Sequence, residues 1–155
     1  MKVHSYEKAF LGVGAVLLVG CLGALLYAST MAGAHLPGHH DRIDPAAVFQ
    51  TPPFDQPGVR QTGPDRYEAV VIGQAFGFIP AEIRVPRGAT VTFLSTSRDV
   101  LHGFHIERTR VNVMLIPGQV SRVDHRFDEP GEHLLICHEY CGVGHHTMHG
   151  RVIVE

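Results

Sequence analysis

Residues Ala9 to Ala28 (AFLGVGAVLLVGCLGALLYA) form an unbroken run of twenty apolar or small positions with no charged side chain. At about 1.5 Å per residue, a helix of that length reaches about 30 Å, the thickness of a bilayer's hydrocarbon layer. The run therefore predicts one transmembrane anchor over 9–28, behind a short tail over 1–8. Lys2 and Lys8 favour an N-terminus on the inner side, which sends the remainder of the chain across the membrane. A cleaved secretory signal is the alternative, but its apolar region usually spans about 7–15 residues. Gly12, Gly14, Gly20 and Gly23 weaken a helix in water, whereas in lipid they allow a neighbouring helix to approach closely.

Past the anchor the pattern dissolves. Over 29–65, Pro37, Pro45, Pro52, Pro53, Pro57 and Pro64 interrupt any regular period, and the larger apolar residues Ile43, Val48 and Phe49 stand alone. This predicts a connector running along a surface, with His35, His39 and His40 exposed to solvent. From Tyr67 onward short apolar stretches recur: Tyr67–Ile72, Glu82–Val85, Ala89–Ser95, Leu101–Ile106, Val111–Leu115, Gln119–Phe127, Glu132–Cys137 and Gly150–Val154. Arg87-Gly88, Pro117-Gly118 and Pro130-Gly131 mark turns between them. With no long amphipathic helix in competition, 66–155 is expected to form a mainly β domain, an antiparallel sandwich or barrel with its chemistry in loops at one end.

Composition narrows the chemistry. Thirteen Lys+Arg against fifteen Asp+Glu give a formal net charge of −2, which excludes binding by phosphate neutralisation. Three cysteines beside twelve histidines and four methionines make no disulfide framework but suit a soft-metal site. The donors concentrate in Cys137-His138-Glu139-Tyr140-Cys141-Gly142-Val143-Gly144-His145-His146-Thr147-Met148-His149. Cys137, Cys141 and His145 are four apart, as on one helix face. Gly142 and Gly144 oppose a helix by about 1 kcal/mol each, so a loop folded around a centre is the better reading. Two thiolates, an imidazole and a thioether favour copper. A structural zinc held by Cys137, Cys141, His145 and an upstream histidine, or a disulfide between the cysteines, are the rivals. A further imidazole should come from the strand containing His102 and His105. Residues three apart in a strand face opposite ways, and spacing alone does not choose between them.

The pattern Cys-x-Glu-x-Cys-x3-His-x2-Met, with the upstream segment Val100-Leu101-His102-Gly103-Phe104-His105, resembles subunit II of haem-copper cytochrome c oxidases. The resemblance covers nearly the whole chain and implies a cupredoxin-like domain carrying the binuclear copper centre called CuA. It makes Cys137 and Cys141 bridging thiolates, His102 and His145 terminal imidazoles, Met148 a weak thioether contact and Glu139 a backbone-carbonyl donor. His105, His138, His146 and His149 then fall outside the donor set. One anchor and no tryptophan are similar to the short, Thermus-like form found in B-type oxidases. In that comparison Gln74-Ala75-Phe76-Gly77-Phe78 takes the place of an aromatic patch, with Phe76 the candidate ring for electron entry. In the wider family the Glu139 side chain also contributes to a magnesium site at the boundary with subunit I.

The implied activity is a one-electron relay from a cytochrome c-type donor to haem in subunit I, where oxygen reduction and proton translocation take place. The electron-entry domain of nitrous oxide reductase has similar loop spacing, but this chain has no room for that enzyme's catalytic propeller. A membrane-tethered copper carrier and a structural-zinc module are the alternative functions.

Overall fold

The computed structural model describes residues 4–31 and 42–155. The chain divides into two compact units, a helical one within 1–36 and a β unit within 37–155. His35, His39 and His40 lie outside the described residues.

The helix α1 spans Ser5–Thr30, a little beyond the predicted apolar run at both ends. Glu7 reaches back to accept the backbone N–H of His4 at 2.8 Å, which satisfies one of the donors left open in a first helical turn. At the other end the Ser29 and Thr30 hydroxyls donate to the carbonyl of Leu26. None of the helix's residues is buried within the chain. A helix apolar on every side and without protein cover is suited to lipid, and its length and composition match a single span.

The β unit is a sandwich of two five-stranded sheets. Its strands are β1 (Gly58–Gly63), β2 (Arg66–Gln74), β3 (Gly77–Ile79), β4 (Glu82–Val85), β5 (Thr90–Ser97), β6 (His102–Ile106), β7 (Asn112–Leu115), β8 (Ser121–Arg126), β9 (Gly131–Ile136) and β10 (His149–Val154). One sheet runs β1-β2-β5-β8 with β3 added beside β2, and the other runs β4-β10-β9-β6-β7. The sequence pattern predicts an antiparallel sandwich or barrel. The sheets are in fact mixed, because β2 pairs with β5 and β4 with β10 in parallel. Alternation along a strand specifies which face a residue occupies and carries no information about the direction of the neighbouring strand.

Alternate residues of the strands fill the space between the sheets. Ala69 and Val71 of β2 and Val91 and Phe93 of β5 meet Phe104 and Ile106 of β6, Leu135 of β9 and Val152 of β10. The remaining residues of the run Ala69–Ile72 point the other way, yet Val70 and Ile72 are also buried. Ile43, Val48 and Phe54 cover them together with Leu94. This corrects the connector reading. Within 42–65, Pro45–Gln50 forms a 3-10 turn capped by Asp44, and β1 pairs antiparallel with β2. The β unit thus begins well before residue 66. A strand apolar on both faces needs a layer on each side, and 42–55 supplies the second layer.

Phe54 is 1% exposed, so removal of its ring opens a cavity against β2. Phe54→Ala should destabilise the β unit by about 3 kcal/mol in denaturant unfolding of the chain lacking α1. A mere tether at this position would shift stability by no more than about 0.5 kcal/mol.

Candidate metal centre

The predicted donors meet at one end of the sandwich, where β6 begins and β9 ends. β9 finishes at Ile136 and β10 resumes at His149, so residues 137–148 form a loop between two neighbouring antiparallel strands. Its base is closed by the Cys137 N–H donating to the Met148 carbonyl at 3.3 Å. Gly142 has φ +127°, a conformation that side-chain-bearing residues rarely adopt, and it turns the chain back where a helix would have continued. A single 3-10 turn, His145–Thr147, then delivers Met148 inward.

The two cysteine sulfurs are unbonded and lie 3.9 Å apart, each nearly buried. Cys137 Sγ is 4.0 Å from His102 Nδ1 and 3.2 Å from the carbonyl oxygen of Glu139. Cys141 Sγ is 3.6 Å from His145 Nδ1 and 3.6 Å from Met148 Sδ. His102, Cys137 and Cys141 bring one donor atom each within 4.8 Å of one another, a group able to hold a metal ion. The structure thus gathers all six predicted positions around the sulfur pair, with an imidazole on either flank.

His102 is fully buried, and its Nε2 lies 2.8 Å from Asp99 Oδ1. With Nε2–H donating to the carboxylate, Nδ1 carries the lone pair towards Cys137, the usual way in which an outer carboxylate fixes a ligand histidine. Burial of Asp99 would raise its pKa. The backbone N–H of Ala75, the His102 ring and the backbone N–H of Val100 outweigh burial and hold the carboxyl below the usual carboxylate range. Sequence reasoning assigned Asp99 no role; its place three residues before His102 was the available signal. At Cys141, burial and then the adjacent Cys137 sulfur push the thiol up to about 11. A cation entering the centre has to displace that proton.

His105 is held elsewhere, its Nδ1 against the carbonyl of Val111 at 3.0 Å and its ring 6.4 Å from that of His138. His102 therefore faces the sulfurs and His105 does not. His149 turns to the Thr147 carbonyl at 2.9 Å. Phe76 is 43% exposed and lies against the glycines of the loop. The Glu139 side chain is half-buried and joins no cluster of metal-ligating side chains among the described residues.

Residues 77–155 match the family model for the periplasmic domain of cytochrome c oxidase subunit II. Cytochrome c oxidase subunit 2 of Thermus thermophilus is 42% identical over 99% of this chain and 94% of its own length. A second Thermus thermophilus sequence of the same description is 45% identical, covering 85% of this chain and 99% of that one. The chain belongs to the cytochrome c oxidase subunit II family. The fold agrees: a chain in a cryo-EM structure of a heme-copper terminal oxidase dimer superimposes with a TM-score of 0.74 at 35% identity, over 97% of this chain and 99% of that one. The β unit is accordingly cupredoxin-like, and the family assignment makes the chain an electron-transfer subunit of a membrane-associated haem-copper oxidase.

The raised Cys141 pKa has a direct consequence in the metal-free protein. With Cys21→Ser as background, iodoacetamide alkylation of Cys141 should remain slow at pH 8. It should then climb about tenfold per pH unit as the solution approaches pH 11, because only the thiolate reacts. A plateau reached near pH 8 would contradict the burial argument.

Proposed function

We propose that this chain is the electron-entry subunit of a cytochrome c oxidase, with a binuclear copper centre held by Cys137 and Cys141 as bridging thiolates. His102, His145, Met148 and the Glu139 carbonyl complete the donor set. The observation that carries the reading is the unbonded sulfur pair 3.9 Å apart, with a separate imidazole nitrogen beside each sulfur. A lone zinc would use one tetrahedral set and no thioether; thioether and thiolate together favour copper.

When bound, the copper pair supplies a site that gains and loses one electron shared between two ions, with no bond made or broken. The residues of this chain keep the surroundings constant during that exchange. The sandwich fixes Cys137 at the end of β9 and His102 at the start of β6, which limits rearrangement of the ligands. Asp99 sets the ring orientation of His102 through Nε2. Cys137, Cys141, Met148 and His102 are themselves buried, which limits the access of water to four of the donors.

Around this end of the sandwich Val100, Leu101, Tyr140 and Val143 are exposed beside Phe76. They offer apolar surface suited to a cytochrome c-type donor, with Phe76 lying against Gly142 and Gly144 of the ligand loop. His145 is the exit towards haem in subunit I, and α1 packs against that subunit in the bilayer. The N-terminus is cytoplasmic and the copper domain lies on the outer side of the bacterial membrane. Oxygen reduction and proton translocation belong to subunit I. A magnesium ion at the subunit boundary would use the Glu139 carboxylate together with groups of subunit I.

Copper added to the metal-free chain should give a purple protein with a pair of copper ions, and electron paramagnetic resonance should report one unpaired electron spread over both nuclei. Cys137→Ser or Cys141→Ser should abolish the shared-electron signal, whereas Met148→Leu should keep the metal and shift the potential. A colourless protein with one zinc, or a single blue copper, would overturn the reading.

A further inference from the structure

We infer that the turn between β2 and β3 is a clasp on the ligand loop, in which Phe76 and Asp99 hold the two sides of the centre together and set how readily the loop opens. Neither residue is among the proposed metal donors; both are positioning residues. The clasp follows from the geometry of the metal-free chain, and its effect on copper rests on the proposed centre.

One end of the clasp is polar. The Ala75 N–H in the turn donates to Asp99 Oδ2 at 2.7 Å, and the other carboxylate oxygen of the same residue lies 2.8 Å from His102 Nε2. The Val100 N–H, also at 2.7 Å from that oxygen, fixes the carboxylate in place. One carboxylate thus ties the turn to the buried imidazole.

The other end is apolar and begins at the next residue. The Phe76 ring spans Gly142 and Gly144, on the stretch of loop between Cys141 and His145. A Cβ added at Gly144 would stand 2.5 Å from Phe76 Cδ2 and 2.6 Å from Cγ, and one at Gly142 would stand 2.9 Å from Cε1. Such approaches are closer than side-chain-bearing residues permit, so the two glycines make room for the ring. Over 142–147 the backbone hydrogen bonds, His145 N–H to the Gly142 carbonyl and Thr147 N–H to the Gly144 carbonyl, run within the loop, and the tie to the sandwich comes at its end, where Met148 accepts the Cys137 N–H. The internal bonds shape 142–147 without fastening it to the sandwich, and Val143 between the glycines is 89% exposed. Phe76 brings an outside element onto this stretch. The contacts run from His102 through Asp99, Ala75 and Phe76 to the glycines next to Cys141 and His145, joining both flanks of the centre without passing through a metal. A segment fastened by few contacts opens locally with little free energy, so loss of this one should expose the sulfurs.

The test uses the full-length chain in detergent, with Cys21→Ser throughout so that Cys137 and Cys141 are the only thiols. Metal-free protein is reacted with dithiobisnitrobenzoate, and circular dichroism checks that each variant keeps its β structure. Phe76→Ala and Asp99→Ala should each accelerate thiol modification about tenfold, with the double variant no faster than the faster single. Phe76→Leu should return the rate to within about threefold of the parent, because it refills part of the space over the glycines. Gly144→Ala should accelerate it with Phe76 still present, because the new methyl group displaces the ring. A parent-like rate in Phe76→Ala or Gly144→Ala overturns the clasp. So does a double variant whose acceleration is the product of the singles, since that describes two independent supports. In the copper-loaded chain, bathocuproine under mild reductant should strip metal in the same rank order, and Asp99→Ala should alter the copper hyperfine pattern; metal loss at the parent rate in all variants overturns the copper half. A chain that takes up one zinc instead sinks the proposed function, and the metal-free thiol rates still decide the clasp.

Discussion

Two cysteine sulfurs held 3.9 Å apart in a nearly dry pocket, close enough to share ions yet not bonded to each other, set the terms for the rest of this structure. Left to themselves, two thiols at the end of a β sandwich would be free to oxidise or turn outward. Both outcomes are opposed by position. Cys137 continues the line of β9 and is tied back to Met148, while Cys141 lies beyond a turn and is brought back by Gly142. The sulfurs approach from opposite directions along the loop, and each finds its own imidazole.

That arrangement requires a support that does not give. The sheets provide it by different means on their two faces. Between the sheets, the aromatic rings of Phe78, Phe93, Phe104 and Phe127 contact one another edge-on or tilted, which fixes the spacing of β5 and β6. Outside, the layer formed by Ile43, Val48 and Phe54 backs β2 and β5, the strands from which the Ala75–Phe76 turn and Ser97–Asp99 emerge. The cover over β2 and the orientation of His102 are therefore links in one chain. Packing on the far face of the sheet holds the strand ends that hold Asp99, and Asp99 holds the ring.

Much of this was legible from residues alone, and the reasons differ from place to place. The β domain announced itself through short apolar stretches punctuated by Pro-Gly turns, and the donor loop through Gly142 and Gly144, which spoiled an otherwise helical spacing of Cys137, Cys141 and His145. The choice of His102 over His105 came from family resemblance. Strand parity says that the two face apart, but which face looks inward depends on pairing with β7 and β9. Residues 42–65 were misjudged because prolines break regular structure without preventing burial. The corrective signal lay in another segment: Ala69-Val70-Val71-Ile72, apolar on both faces, demanded a second cover. Parallel pairing of β2 with β5 and the contact of Phe76 with Gly144 join residues far apart in sequence, and no local period encodes such meetings.

Burial disfavours the Cys141 thiolate, and the neighbouring Cys137 sulfur adds to that. With the Cys141 thiol pushed up to about 11, the chain can keep the sulfurs close while carrying less charge, so the pocket remains compatible with the apolar core beneath it. A cation must displace the Cys141 proton to use that sulfur, so affinity rises with pH. Cys137, Cys141 and Met148 belong to the main hydrophobic cluster and are placed by the packing that places Phe104 and Leu135. Rigidity of this origin suits a relay in which only an electron moves: the donors are kept in place by the core and not by the oxidation state of what they hold.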